Sequence, residues 1–144
     1  DRALQRWQAP AERAQLKLVR GGVPHADANV DETRIVQVID NLLQNSLRYT
    51  TGGGEVAVVV QPGKDAVLIT VDDSPPGVSE EDRAHMFEPL FRTASAQSHV
   101  KGGSGLGLAL AKAIVEAHRG SIRAESSPLG GLRIAVALPA LAPV

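Results

Sequence analysis

The 144-residue chain is long enough for one domain with a real hydrophobic core. Its 15 basic and 16 acidic residues give a formal charge of −1, which excludes a nucleic-acid binder carried by bulk positive charge but not a site that takes a small anion through local donors. Cysteine is absent, so disulfides and thiolate chemistry are excluded, and the 3% aromatic content leaves the core to Leu, Ile, Val and Ala.

In residues 1–14, Leu4, Trp7 and Ala11 fall at helical spacing, and Gln15 to Arg20 alternates apolar and polar residues as a strand does. Gly21-Gly22-Val23-Pro24 reads as a turn. From Asp31, a favoured N-cap type, the period becomes 3.6 residues: Ile35, Val38, Ile39, Leu42 and Ser46 form one stripe. That helix is expected to run to Tyr49, where Thr50-Thr51-Gly52-Gly53-Gly54 stops it. Val56 to Val60 and Ala66 to Val71 are strand-forming, joined by the hairpin signal Pro62-Gly63-Lys64-Asp65. Ser79 to Phe87 is expected to be a short helix capped by Ser79. Residues 88–104 show no period, and so long a loop in a compact domain is usually functional or disordered. Leu106 to His118 is again helical, and Ser121 to Glu125 and Leu132 to Leu138 read as strands around Pro128-Leu129-Gly130-Gly131. No repeat or boundary interrupts this order, so residues 1–144 are read as one α+β domain, a largely antiparallel sheet covered by helices.

Histidines at 25, 85, 99 and 118 are scattered and lack metal-ligand spacing. No stretch approaches the roughly 20 apolar residues of a membrane span. The chain starts at Asp1 instead of Met, as a piece of a longer protein would, which leaves room for a membrane segment upstream.

Four constellations carry chemistry. Asn41, Asn45 and Arg48, at i, i+4 and i+7, share a helix face bordering the apolar stripe. Amide oxygens suit Mg²⁺ and a guanidinium suits phosphate, although a solvated helix flank would carry the same residues. Asp73 continues the inward alternation of Val67, Ile69 and Val71, so its carboxylate needs a donor or else caps its own turn. The run Gly102-Gly103-Ser104-Gly105-Leu106-Gly107-Leu108 leads into a helix, where free backbone N–H groups accept anions such as phosphates; a flexible hinge is the alternative. Phe87 and Phe91, the only phenylalanines, stand at the root of the long loop as packing anchors, with Arg92 beyond them.

The order and spacing of these pieces are more specific than any one of them. Asn41-Leu42-Leu43-Gln44-Asn45-Ser46, then Asp73 with Gly77, then Phe87-Glu88-Pro89-Leu90-Phe91-Arg92, then Gly103-Ser104-Gly105-Leu106-Gly107-Leu108 resembles the N, G1, F and G2 boxes of histidine kinase catalytic domains. These belong to the gyrase, Hsp90, histidine kinase and MutL superfamily. Ile114 to Ile122, Pro128 to Gly131 and Ala137-Leu138-Pro139 also resemble these kinases. Within the family, Asn45 to Thr50 and Asp73 to Gly77 are most similar to BaeS-type envelope-stress sensors.

The resemblance implies a Bergerat-type α/β sandwich: a mixed, mostly antiparallel sheet packed against about three helices, with residues 89–104 as a mobile ATP lid and residues 1–14 as the helix leading from an upstream hairpin domain. It implies ATP and Mg²⁺ as cofactors. Asn45, assisted by Asn41, would hold Mg²⁺; Arg48 and Tyr49 would contact phosphate and ribose; Asp73 would accept from the adenine amine, with Gly77 allowing close approach. Gly103, Ser104, Gly105, Leu106 and Gly107 would frame the phosphates, and Arg92 and Lys101 would be lid cations. The implied partners are a dimerisation and phosphoacceptor domain of the same protein and a cognate response regulator, with no nucleic acid. The implied setting is the cytoplasmic part of an inner-membrane homodimer, the fragment itself not being membrane-bound.

Two features refine this. The family commonly has Asp-x-Gly-x-Gly, and the first glycine position is Pro75 here, which cannot adopt positive φ and has no N–H. Superfamily members that hydrolyse ATP place a glutamate four residues before the Mg²⁺-binding asparagine; Asn41 stands there, and an amide is no general base. None of the four histidines lies in the His-Asp/Glu-x-x-Pro/Thr context of a phosphoacceptor, so the chain alone is not expected to autophosphorylate. A stand-alone serine kinase of the anti-sigma-factor type, or a degenerate module that only holds nucleotide, is the alternative.

Overall fold

The computed structural model describes residues 2–24, 26–50, 52–89 and 106–140, without the side chains of Arg2 and Tyr49. Its elements run α1 (Arg2–Arg13), β1 (Lys17–Gly22), α2 (Glu32–Tyr49), β2 (Glu55–Pro62), β3 (Ala66–Asp73), α3 (Glu80–Arg83), α4 (Gly107–Ala117), β4 (Ser121–Ser126) and β5 (Leu132–Pro139). The strands form one open five-stranded sheet in the order β1-β2-β3-β5-β4. The β1–β2 pairing is parallel and the other three are antiparallel.

One face of the sheet makes the core. Val56 and Val58 of β2, Val67, Ile69 and Val71 of β3, and Leu132, Ile134, Val136 and Leu138 of β5 are all buried. Cross-strand pairing of Val58 with Val71 and of Val71 with Ile134 puts these rows on the same side. Onto them pack Ile35, Val38, Leu42 and Leu43 of α2 and Ala111, Ile114 and Val115 of α4. Truncating a side chain as enclosed as Leu42 to Ala costs on the order of 2–5 kcal/mol.

The helix over α2 starts as its sequence predicts. Asp31 caps it, its Oδ1 accepting from the N–H groups of Thr33 at 3.0 Å and Arg34 at 3.4 Å. The ring of His118 ties the end of α4 to this cap: its Nε2 accepts from the Asp31 N–H at 3.1 Å, and Nδ1 lies 2.8 Å from the Ile114 carbonyl. With Nε2 accepting, Nδ1 is the ring nitrogen that faces the carbonyl as a donor.

Two local expectations are corrected. Gly21 and Gly22 do not turn; they stay in β1 and pair with Val59 and Val60, Gly22 at φ +80°. The pairing carries on past the glycines, the Val23 N–H donating to Val60 O at 2.9 Å, and Arg20 Nη1 donates to the Gly21 carbonyl at 2.7 Å. The helix expected over Ser79–Phe87 is only α3, Glu80–Arg83, although the Ser79 hydroxyl does cap it by accepting from the Asp82 N–H at 3.1 Å. Beyond Arg83 the bonds tighten to i→i+3, His85 N–H to Asp82 O and Glu88 N–H to His85 O, both 3.0 Å, as Met86 turns into the core.

Candidate functional site

Asn41 and Asn45 lie one turn apart on α2. Asn45 is 5% exposed, and the Nδ2 atoms of both are buried without a hydrogen-bond partner. Arg48 follows, half-buried, in the last turn. Across from Asn41 stands the first residue of α4: a Cβ added at Gly107 would come 3.8 Å from the Asn41 Oδ1. Of the two amides that share this face, Asn41 is the one that lies against the N-terminus of α4. Leu106 occupies the cap position, 45% exposed, and its own side chain makes no capping bond. The start of a helix is where backbone N–H groups meet anions.

Asp73 ends β3 facing inward, 2% exposed. Its Oδ1 accepts from the Leu132 N–H at 2.7 Å, and its Oδ2 has no partner. Burial, the largest influence, pushes its pKa up from 3.8 to about 6. The Leu132 N–H and the hydroxyls of Ser46 and Thr50 act the other way, and the charge of Asp72 adds to the rise. Asp72 points to the opposite face of the sheet, where Arg133 grips it with Nε and Nη2 at 2.7 and 2.9 Å.

The turn after Asp73 is built against the turn before β5. Gly77 takes φ +73°, and a Cβ there would sit 3.1 Å from the Gly131 Cα. Pro75 packs on Gly130, and Ser74 is tied to β2, its N–H bonding Glu55 O at 3.0 Å and its hydroxyl accepting from the Glu55 N–H at 2.8 Å. The sequence departure at Pro75 is thus absorbed by glycine on the facing turn, and only Gly77 supplies the positive φ.

Sequence reasoning missed Ser46, Thr50 and Leu132. Ser46 had been set in the apolar stripe and Thr50 in the helix stop; both are buried, and their hydroxyls have no hydrogen-bond partner. A hydroxyl inside an apolar stripe was the available signal for Ser46. No local signal could name Leu132, whose N–H reaches Asp73 across 59 positions. Arg92, Lys101, Gly103, Ser104 and Gly105, the lid over 90–104 and the Tyr49 side chain lie outside the described residues.

Among the described residues, the buried polar side-chain atoms without a partner are Asn41 Nδ2, Asn45 Nδ2, Ser46 Oγ, Thr50 Oγ1 and Asp73 Oδ2. All five belong to α2, its cap and the end of β3. Each buried unsatisfied group costs about 1–3 kcal/mol, so their concentration in one place makes this a candidate surface for a ligand. Two amide donors await acceptors on one side and a carboxylate oxygen awaits a donor on the other. That division fits the phosphates and the amino-bearing base of a nucleotide, and the amide oxygens suit Mg²⁺.

Comparison with known proteins gives this site a family. Residues 30–142 match the family of histidine kinase-, DNA gyrase B-, and HSP90-like ATPases. The chain is 48% identical over 101 residues to the sensor histidine kinase CpxA of Escherichia coli K12, covering 70% of this chain and 22% of that protein. It is 46% identical over 109 residues to the signal transduction histidine-protein kinase BaeS of the same strain, covering 76% and 23%. The mycobacterial sensor histidine kinase MprB superposes with a TM-score of 0.84 at 29% identity, over 97% of this chain and 92% of that one. The chain belongs to the histidine kinase-, DNA gyrase B- and HSP90-like ATPase family, and within it to the catalytic domains of sensor histidine kinases. It spans under a quarter of the length of these two curated relatives, 22% and 23%. Among the described residues no helix is long and apolar enough to cross a membrane.

Proposed function

We propose that this domain binds Mg-ATP and presents the γ-phosphoryl group to a histidine on a separate dimerisation and phosphoacceptor domain of the same protein, in two-component signalling. The observation that carries the reading is the pair of buried amide donors without a partner, Asn41 Nδ2 and Asn45 Nδ2 on α2, together with the buried, unpartnered Asp73 Oδ2 at the end of β3. Asn45, with Asn41, would hold Mg²⁺ through amide oxygens while the Nδ2 groups face phosphate oxygens. Bound Mg²⁺ would supply charge neutralisation at the phosphates. Arg48 and Tyr49 would contact phosphate and ribose, and Asp73 would accept from the adenine amine at Oδ2. Gly77 would admit the base to the turn. Leu106 and Gly107, with Gly103, Ser104 and Gly105, would frame the phosphates, and Arg92 and Lys101 would close over them from the lid, residues 89–104.

The residues position the nucleotide and supply no base. Asn41 stands where a hydrolysing relative would need a carboxylate, so bound ATP would wait for an outside nucleophile. The partners proposed with this reading are the acceptor hairpin, reached through residues 1–14, and a cognate response regulator. The setting is the cytoplasmic side of a membrane-anchored homodimer.

Calorimetric titration with ATP, with and without Mg²⁺, tests the site. Binding in the micromolar range, strengthened by Mg²⁺ and lost in Asp73→Asn, is the expected result. Radiolabel from [γ-³²P]ATP should then reach a supplied histidine hairpin and not this chain alone. No binding by the folded domain overturns the reading in favour of a non-enzymatic module, and transfer to a serine-bearing antagonist would favour the anti-sigma-factor alternative.

A further inference from the structure

The helices α2 and α4 run in opposite directions and touch at two levels. At one level Asn41 of α2 lies against Gly107, the first residue of α4, where a Cβ would come 3.8 Å from the Asn41 Oδ1. At the other, His118, the C-cap residue of α4, reaches the start of α2: its Nε2 accepts from the N–H of Asp31, the N-cap, at 3.1 Å. Ten positions of α2 and eleven of α4 separate the two levels, about 15–17 Å of helix.

Asp31 is a fixed post for this bond. Just ahead of it the Asn29 N–H donates to the Pro139 carbonyl at 3.0 Å and Ala28 bridges to Ala140, so the chain entering α2 is tied to the end of β5. The imidazole is oriented from its own helix, with Nδ1 2.8 Å from the Ile114 carbonyl. Between the two levels the helices bury Ile35, Val38 and Leu42 on one side and Ala111, Ile114 and Val115 on the other. Apolar contact of this kind is non-directional, whereas a hydrogen bond holds one distance and one angle.

We propose that His118 is a positioning residue for the phosphate end of the nucleotide: by bonding the N-cap of α2 it sets how far α4 lies along α2, and thereby the gap between the Asn41 amide and the start of α4. The proposal rests on the nucleotide-binding reading of the site and adds to it a residue at the far end of α4. A slip of α4 by one residue would carry Gly107 about 1.5 Å along α2, enough to take a group in hydrogen-bond range out of it. The base end of the site is built otherwise, on β3 and the turn before β5, where the Leu132 N–H holds Asp73. Helix α4 packs against α2 and β4 and not on that turn, so a slip should reach the phosphates and spare the base.

The two ring nitrogens can be tested apart. Counted in bonds from Cβ, an Asn amide ends where Nδ1 stands and a Gln amide where Nε2 stands. His118→Asn therefore keeps a donor for the Ile114 carbonyl and loses the reach to Asp31, while His118→Gln offers an oxygen to the Asp31 N–H. Affinities for Mg-ATP and for adenosine, which lacks the phosphates, are measured by NMR shift titration on the wild type and both variants. His118→Asn should lose Mg-ATP affinity about three- to tenfold and keep its affinity for adenosine, and His118→Gln should match the wild type for both. Equal losses for the two ligands, as general loosening of the fold gives, overturn the proposal. So does unchanged Mg-ATP affinity in folded His118→Asn, or a loss in His118→Gln equal to that in His118→Asn. If His118→Asn fails to fold, amide exchange at Asp31 in the wild type decides. Coupling is reciprocal, so Mg-ATP should slow that exchange more than saturating adenosine does, and equal slowing overturns the proposal. A wild type that binds neither ligand overturns the nucleotide reading and the proposal with it, whereas binding of both with no contrast between the variants overturns the proposal alone.

Discussion

Asp73 sits where function and stability pull apart. In the unfolded chain its carboxyl has the ordinary value of 3.8, and in the fold about 6, so between these pH values the native state holds the extra proton. A carboxyl whose folded pKa is raised contributes stability that is complete below the unfolded value and is lost as pH rises through the folded one. The ionised Asp73 therefore costs the nucleotide-free domain on the order of 1–3 kcal/mol at neutral pH. Asn in its place keeps an oxygen for the Leu132 N–H and brings no charge into the buried site. Asp73→Asn should raise the urea midpoint at pH 7.5 by the equivalent of about 1–2 kcal/mol while losing ATP binding at least tenfold. It should also flatten the fall in stability from pH 4 to 6. A variant less stable than the wild type at pH 7.5 would show that the buried charge is compensated by something else.

Among the elements, those with a strong internal period were legible before any coordinates. The Asp31 cap and the stripe from Ile35 to Leu42 define α2, and the turn chemistry of Pro62–Asp65 defines the β2–β3 hairpin. The amide face of Asn41 and Asn45 was legible for the same reason, because both sit on that helix. What stayed hidden depends on partners distant in sequence. The parallel pairing of β1 with β2 carries no local signature, and Gly21-Gly22 looked like a turn until Val59 and Val60 paired with it. The shortness of α3 follows from Met86 being drawn into the core, which a Ser79 cap cannot foretell. The clearest case is the turn before β5. Gly131 has no room for a side chain: a Cβ would run into Asp73 Oδ1 and into the Asp73 and Ser74 carbonyls. Those are backbone atoms and a buried carboxylate, so the turn itself would have to shift, taking with it the Leu132 N–H that holds Oδ1. Gly131→Ala should therefore destabilise the domain by about 2–3 kcal/mol and weaken ATP binding together, the two measured by urea denaturation and calorimetry. Destabilisation with unchanged affinity would separate this turn from the base contact.

At the scale of the whole molecule, the sheet, α2 and α4 make a packed core whose polar exceptions lie at one end. Among the described residues the unsatisfied side-chain atoms are confined there, which makes ligand binding and folding two readings of one quantity. A nucleotide that bonds to these atoms binds the native state alone, so it stabilises by RT ln(1 + [L]/Kd), about 2.7 kcal/mol at a hundredfold excess over Kd. For a chain of 144 residues that corresponds to roughly 6–10 °C in Tm. Mg-ATP at that excess should raise the wild-type Tm by this amount, and ADP by less where the Asn41–Asn45 side of the cluster is the one left unfilled. Asp73→Asn, with the higher Tm in the absence of nucleotide, should show almost no shift on adding it. The two effects have opposite signs from one substitution, which general loosening or tightening of the fold cannot produce. A wild-type Tm that does not move with saturating Mg-ATP would mean that the five atoms are satisfied by water in solution, and that their shared location does not mark a nucleotide site.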